Sequence, residues 1–486
     1  MKTCTLMTAL LLTLAEVALS QTGFSTIEPL TPVTISEPTK DKPQAKVWTY
    51  AEKWWCVLSA SNGTKVFRLD GRTWTEILTL NTKSSKPDCL VSADLVHILF
   101  YKGASNKSYI YSLKYNKNYS VYELWDARPP GTFISFPEFS NTATIIVDKG
   151  GRMWAATNTE SNIKVWWSDA PYAKWSSPIT IASGTSSGDI CALTVIESQK
   201  KIGILWSNHN TKRFGFRTHP DNSNPQNWSE DEIPASQSAI SNAGGGMADD
   251  HLNIKTSGNG TLYCVAKTDY NRPGFPTIIL MIRKPNGTWD NAYPVTMQPE
   301  GTQPIVLLNE EKRTLKVIYT SKANGGDIMY RESSMNQISF SSAITLMNSD
   351  GHSYNYATST HQNYTNDIVI LATNISTNPM QAIGVIAYDN SSENTVPVTL
   401  RKLLKAYPNP VSTSTTLYFA LQYSGNYILS LYDAKGSKEM TIRTGYAQAG
   451  VPISVMLNAN HLSEALYFIT LKTDVTNEAL KIIVQK

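Results

Sequence analysis

WWCVLS at residues 54–59, HILFYK at 97–102, MWAATN at 153–158, IGILWS at 202–207, LYCVAK at 262–267, LKVIYT at 315–320 and IVILAT at 368–373 are copies of one short strand. Each is apolar or aromatic and ends in small or polar residues. Their starts lie 43, 56, 49, 60, 53 and 53 residues apart. A period of roughly fifty residues belongs to radial or stacked arrays, whose units bury their faces only against neighbours.

Each unit repeats the same internal order. An inner strand precedes the signature through a polar turn, such as Asp148-Lys149-Gly150-Gly151 or Ser257-Gly258-Asn259-Gly260, which marks a hairpin. A polar loop and a third strand follow, as at Lys65–Leu69, Ile163–Trp167 and Thr277–Arg283. An aromatic then opens a fourth strand: Trp74, Tyr122 or Trp125, Trp175, Trp228, Trp289 and Phe340. Seven such units with no helix-period segment predict an all-β chain whose residues 45–390 form a seven-bladed β-propeller. The recurring tryptophans are expected between blades. The seventh unit shows no outer strand before Ser391, so a strand near Lys46–Tyr50 is expected to close the circle.

Asp70-Gly71-Arg72-Thr73-Trp74 is similar to the second half of the Asp-box turn of sialidase-like (BNR type) propellers, and Asn286-Gly287-Thr288-Trp289 is a looser copy. The leading Ser of that turn is absent. The resemblance implies a propeller scaffold and no chemistry.

Composition narrows the setting. Charged residues make up 17% of the 486 and the formal net charge is +4, with no long basic run, which argues against nucleic-acid binding. The 12 Trp and 24 Tyr suit a large β protein and surfaces that stack sugars. Residues 1–20 have Lys2, an apolar run from Leu6 to Leu14 and small residues before Gln21, the pattern of a secretory signal peptide. That run is too short to span a bilayer, and no other segment approaches 18 consecutive apolar residues. Residues 21–44 and 391–404 read as linkers. Cys56, Cys89, Cys191 and Cys264 lie in strand-like runs without metal-ligand spacing and are expected as buried thiols, disulfides staying open. A monomer is expected.

Propeller ligands collect around the mouth of the central channel, where inner strands begin and second-to-third-strand loops project. Those positions offer Asp189, Asn208, His209, Asp250, Lys267, Asp269, Gln303 and Asn355 as ligand-binding candidates. The densest run is Gly244-Gly245-Gly246-Met247-Ala248-Asp249-Asp250-His251, followed by Lys267 to Arg272. Three glycines allow close backbone approach to a ligand or a flexible crossing. Asp250 beside His251 could orient an imidazole as general base, or simply cap a turn. No cofactor is required, and no metal-ligand pattern stands out; Asp249 and Asp250 would suit a structural calcium ion without demanding one.

Three functions compete. The preferred one is recognition of an extracellular polysaccharide or glycoconjugate at the mouth. The alternative is a uronate polysaccharide lyase, with His251 as base, Arg272 or Lys267 offsetting enolate charge, and Tyr270 as acid; ulvan lyases on seven-bladed propellers supply a fold-level analogy. A sialidase-like hydrolase is less favoured, because only Arg213, Arg217 and Arg272 could grip a carboxylate and the early strand arginine is missing.

Residues 405–486 carry their own signature: Tyr407-Pro408-Asn409-Pro410, then Tyr427-x-Leu429-x-Leu431-Tyr432-Asp433 with Gly436, Leu466-Tyr467-Phe468, and a basic end at Lys481 and Lys486. Six strand-like runs predict a small Ig-like β-sandwich. The stretch resembles the type A C-terminal sorting domain of type IX secretion system cargo in Bacteroidota, with Glu464-Ala465 where that family has Gly. The resemblance implies handling by the type IX machinery and a secreted, extracellular or cell-surface protein.

Overall fold

The computed structural model describes residues 23–40, 43–103, 107–137, 140, 142–239, 243–389, 404–419, 421, 425–447, 453–473 and 477–486. The expected signal peptide lies outside them, as does all of the expected 391–404 linker but its last residue. The chain divides into two compact units, Met1–Asp389 and Asn390–Lys486. Apart from the short 3-10 turns Glu197–Gln199 and Ser236–Ser238, the described regular structure is all strand.

The first unit is the seven-bladed propeller. Blade 1 runs Val47–Tyr50, Lys53–Ala60, Gly63–Asp70 and Thr73–Asn81; blade 2 runs Asp88–Ser92, Leu95–Phe100, Ser108–Asn116 and Val121–Leu124, with Thr132–Ile134 on the same third strand. Blade 3 takes Ala143–Val147, Met153–Asn158, Asn162–Ser168 and Ile179–Ser183, and blade 4 only Cys191–Ile196, Lys201–Asn208 and Arg213–Pro220. Blades 5 and 6 are four-stranded antiparallel sheets beginning at Leu252 and Thr302. Blade 7 comprises Tyr354–Thr358, Asp367–Asn374 and Gln381–Asp389, plus strands from the N-terminal region.

The signature segments are the second strands. They face a neighbouring blade on both sides, which explains why they lack apolar–polar alternation: Met153–Asn158 is buried at every position, and Lys53–Ala60 at every position but the first. Each fully buried aliphatic side chain there contributes up to about 1.5–3 kcal/mol. Cys56, Cys89, Cys191 and Cys264 are free and buried among them. Trp74 is buried in the core, whereas Trp175, Trp228 and Trp289 pack against it partly covered.

The circle closes differently from expectation. Val47–Tyr50 is the inner strand of blade 1, held to Lys53–Ala60 through the tight turn at Ala51 and Glu52. The closing strand is Phe24–Pro29, which pairs antiparallel with Gln381–Asp389 as the outer strand of blade 7. The described part of the expected 21–44 linker, residues 23–40 and 43–44, is therefore built into the propeller. From Leu30 the chain crosses between blades 7 and 1: Ile35 N–H donates to the Met380 carbonyl (2.9 Å), Ser36 N–H to that of Ser59 (2.8 Å), and Thr39 Oγ1 to that of Tyr356 (2.7 Å). On its other side, a buried charge network ties blade 6 to the paired ends of the closing strand and of Gln381–Asp389. Lys316 Nζ lies 2.7 Å from Asp389 Oδ1 and 2.8 Å from Glu332 Oε2, and 4.6 Å from the centre of the Phe24 ring.

Blade 4 has no fourth strand among the described residues; Glu232 makes an isolated bridge to Phe216 instead. Its carboxylate grips blade 5, accepting Arg283 Nε and Nη2 at 2.7 Å each and Trp289 Nε1 at 2.7 Å.

The second unit is a sandwich of two sheets. One holds Lys405–Tyr407, Ser414–Phe419 and Ile453–Asn458; the other holds Lys438–Ala447, Gly425–Asp433, Ala465–Thr473 and Asn477–Val484. Leu417, Leu429, Leu431, Ile469 and Ile482 fill the space between them. The signature residues have local tasks. Asn409 donates Nδ2 to the Lys481 carbonyl (3.0 Å) and accepts Ile483 N–H (2.9 Å), clamping the final strand. Asp433 Oδ1 accepts the N–H groups of Lys435 and Ser437, and Gly436 supplies the φ of 83° that this turn needs. Glu464, the departure from the family pattern, accepts Lys486 N–H at 2.8 Å.

Candidate functional site

Blades 4 and 5 bring two carboxylate–imidazole pairs to the mouth. Asp189 precedes the inner strand of blade 4 and His209 follows its second strand; the register Cys191↔Trp206 carried outward sets them side by side. Asp189 is fully buried. Its carboxylate accepts Ser207 Oγ (2.9 Å), Ser186 N–H (2.6 Å) and His209 N–H (3.1 Å), and pairs with His209 Nδ1 at 2.5 Å. These bonds fix the anion, and the anion fixes the imidazole. The Asp189 bond holds the His209 pKa above its usual value, and Asp249 and Asp250 add to the shift against the opposing effect of burial. The loops themselves are tied together: Met247 N–H donates to the Lys212 carbonyl (3.0 Å) and Lys212 Nζ to that of Gly244 (3.1 Å).

On blade 5, His251 Nδ1 bonds to Asp249 Oδ1 and lies 2.6 Å from Asp250 Oδ1, while Lys267 Nζ holds the other Asp249 oxygen at 2.6 Å. Asp249 and His251 are buried or nearly so, and Asp250 and Lys267 are half-buried. Since carboxylates only accept, each imidazole carries its proton on Nδ1 and is left with Nε2 for an incoming group. Neither Nε2 has a protein partner among the described residues. The arrangement can accept or donate a proton and can hydrogen-bond sugar hydroxyls.

The ligand atoms of Asp249, Asp250 and His251 lie within 4.8 Å of one another. Calcium there would have to displace the Lys267 ammonium and the His251 Nδ1–H that already occupy these carboxylates.

The other candidates lie elsewhere. Tyr270 is 3% exposed and packs on Phe275 in the core of blade 5, so the structure does not offer it as an acid at the mouth. Arg272 is exposed in the loop beyond it. Asn208 uses Oδ1 to accept Thr211 N–H within its own turn (3.0 Å). Asp269 pairs through its backbone with Gly245 and Gly246, and a Cβ on Gly245 would stand 1.6 Å from its carboxylate. The glycine run therefore permits close packing on blade 5's own loop. Gln303 is half-buried with a φ of 55°, and Asn355 is buried, accepting Thr320 Oγ1 (3.0 Å) and Tyr356 N–H (2.9 Å). They belong to blades 6 and 7, and neither bonds to the paired imidazoles among the described residues.

Asp249, rather than Asp250 alone, is the partner that sequence reasoning passed over. The signal was its i, i+2 spacing from His251, which puts both side chains on one side of an extended segment. The channel itself also holds an unforeseen pair: buried Asp88 accepts Ala45 and Ile145 N–H groups and meets His361 Nε2 at 2.9 Å.

Comparison with known proteins bears on export. No curated protein sequence matches the chain. Among solved structures, a protein of unknown function from Dyadobacter fermentans is similar at 11% identity, with 75% of this chain and 99% of that one covered and a TM-score of 0.45. An α-L-arabinanase from Penicillium chrysogenum, complexed with arabinobiose, matches at 13% identity over 64% of this chain and 99% of that one, with a TM-score of 0.41. A β-propeller domain from Myceliophteria thermophila matches at 8% identity over 74% and 99%, with a TM-score of 0.44. No described helix is long and apolar enough to cross a membrane. Residues 405–485 match the family model of the secretion system C-terminal sorting domain, which marks the chain for export out of the cell.

Proposed function

We propose that this is an exported glycan-recognition protein whose propeller mouth binds an extracellular polysaccharide or glycoconjugate, delivered by the type IX machinery through residues 405–486. The observation that supports it is the assembly of Asp189–His209 and Asp249–His251–Lys267 on adjacent blades, with both imidazole Nε2 atoms unclaimed. Buried carboxylates that fix partly accessible imidazoles give directional polar contacts without mobile side chains, the requirement for discriminating sugar hydroxyls.

A second reading is acid–base catalysis on the same glycan, favoured by the carboxylate-anchored imidazoles. In that reading His251 or His209 moves the proton and Lys267 offers positive charge, while Tyr270, being in the core, takes no part.

A glycan array with the full chain, followed by incubation with each bound polysaccharide, separates the two. Binding that falls at least tenfold in His209→Ala and His251→Ala, with no shortened or unsaturated product, supports recognition alone. Product formation that these variants abolish without loss of affinity replaces it with catalysis. Unchanged binding in both variants refutes the mouth as the site. Fractionation of cells and medium shows whether the exported protein is released or held at the surface.

A further inference from the structure

The opposite end of the channel holds a cavity of about 310 Å³, lined by the ends of inner strands and by the loop of residues 359–366 in blade 7. That loop joins the inner and second strands of its blade, and it reaches across the channel. Thr49 N–H donates to Gln362 Oε1 (2.9 Å) from blade 1, and Asn363 Nδ2 donates to the Thr256 carbonyl (2.9 Å) and to Glu310 Oε1 (2.7 Å) on blades 5 and 6. The wall is mainly apolar: Leu90, Ile146, Leu193, Val195 and Ile254.

Its charges are unequally matched. Glu310 is satisfied by Gly258 N–H (2.7 Å) and by Asn363, and Glu197 pairs with Lys149 at 2.9 Å. His361 meets Asp88. Lys255, only 4% exposed, has neutral partners: the carbonyls of Thr360 and Gln362. A buried ammonium without a counter-charge is costly and favours an incoming anion. Burial pushes the Lys255 amine down to about 7, partly opposed by the Cys89 thiol, which also lies within reach of Lys46 and Asp88.

We infer that this cavity is a second ligand site, independent of the mouth, that takes a small organic carboxylate with an apolar body, its carboxylate on Lys255 and its body against Leu193, Val195 and Ile254. The volume is at the small end of ligand pockets, which run roughly 300–1,000 Å³, so the class is that of benzoate or a short-chain fatty acid.

The test is calorimetric titration of the full chain with benzoate at pH 6 and pH 9. Below about pH 7 Lys255 carries its proton; above it the amine becomes neutral and the attraction is lost, so affinity should fall about tenfold or more across that interval. Lys255→Met should abolish binding. Because that variant could fail to fold, Val195→Phe, at a partly exposed wall position, supplies an independent check by filling the space; it too should abolish binding. His251→Ala should leave benzoate affinity unchanged whether or not the mouth binds glycans. No heat at pH 6, equal affinity at both pH values, or full binding by Val195→Phe would each overturn the site.

Discussion

Lys316→Met should loosen the seam where the chain's first strand meets its last blade. Lys316 is 1% exposed and stands between the carboxylates of Asp389 and Glu332, whose side chains are 3% and 13% exposed. Methionine keeps most of the volume and removes the ammonium that contacts both anions. Stripping one partner from a buried ion pair costs about 3–5 kcal/mol, because the remaining charge is left uncompensated. For about 370 residues of propeller, an unfolding entropy of roughly 2.1 cal/mol/K per residue converts this into a melting-point fall of about 4–6 °C. The damage should be local first. Thermal unfolding of the full chain, with hydrogen exchange read at Phe24–Pro29, should show that strand losing protection well before the inner strands. The compensated triple variant Lys316→Met, Asp389→Asn, Glu332→Gln should regain most of the loss, since uncharged groups of similar shape no longer suffer desolvation as ions. A melting-point change below 1 °C with Phe24–Pro29 still protected would refute the view that this network holds the seam.

Glu232→Ala should leave the buried Arg283 guanidinium and the Trp289 indole N–H without their acceptor, lowering stability by about 3–5 kcal/mol, with Gln intermediate; denaturant unfolding measures it. His209 has a raised folded pKa, so its contribution is complete below about pH 6.5 and fades as pH rises through the folded value; His209→Gln should therefore lose most stability relative to wild type at acid pH, as melting curves from pH 5 to 8 would show. His97 is the reverse. Burial pushes it down to about 3, its contribution is present above pH 6.5 and is lost as pH falls, at about 1.4 kcal/mol per unit, so His97→Gln should flatten the acid limb of the stability curve. In the sorting domain, Asn409→Ala removes two bonds to the final strand and should cost about 1–2 kcal/mol, detected as faster amide exchange at Ile483.

The seven blades were legible because the second strands, covered on both faces, spell continuous apolar runs. The closure was not. Phe24, Ile27, Leu30, Val33 and Ile35 are spaced among Thr, Pro and Ser, and an outer strand covered on one side needs little more. Val47–Tyr50 was misplaced because its turn is Ala51-Glu52, with φ of 52° and 61°; tight hairpins of that kind are usually announced by Asn or Gly. At the mouth, the crowding of acidic and imidazole groups on blade 5 was visible in one run of sequence. The reach of His209 to Asp189 depends on hairpin register and could be read only by counting outward from a paired residue. Tyr270 misled because a tyrosine beside charged neighbours looks accessible, while its ring turns inward on Phe275. Lys255 gave no signal: a lysine in LNIKT reads as a solvent-facing alternate, and only an inner strand around a channel makes that face interior.

The seam between the first strand and the last blade also gives the molecule a sense of completion. Its latch travels at the front of the propeller and its keeper at the back, immediately before the segment that directs export. The two cannot fasten until the blades between them have folded and brought both ends together. Until then the chain is an open row of blades with bare flanks; afterwards it is a continuous wheel without a free edge at the join. Fastening therefore depends on the whole propeller being present, and a truncation from either side would produce the same unfastened state.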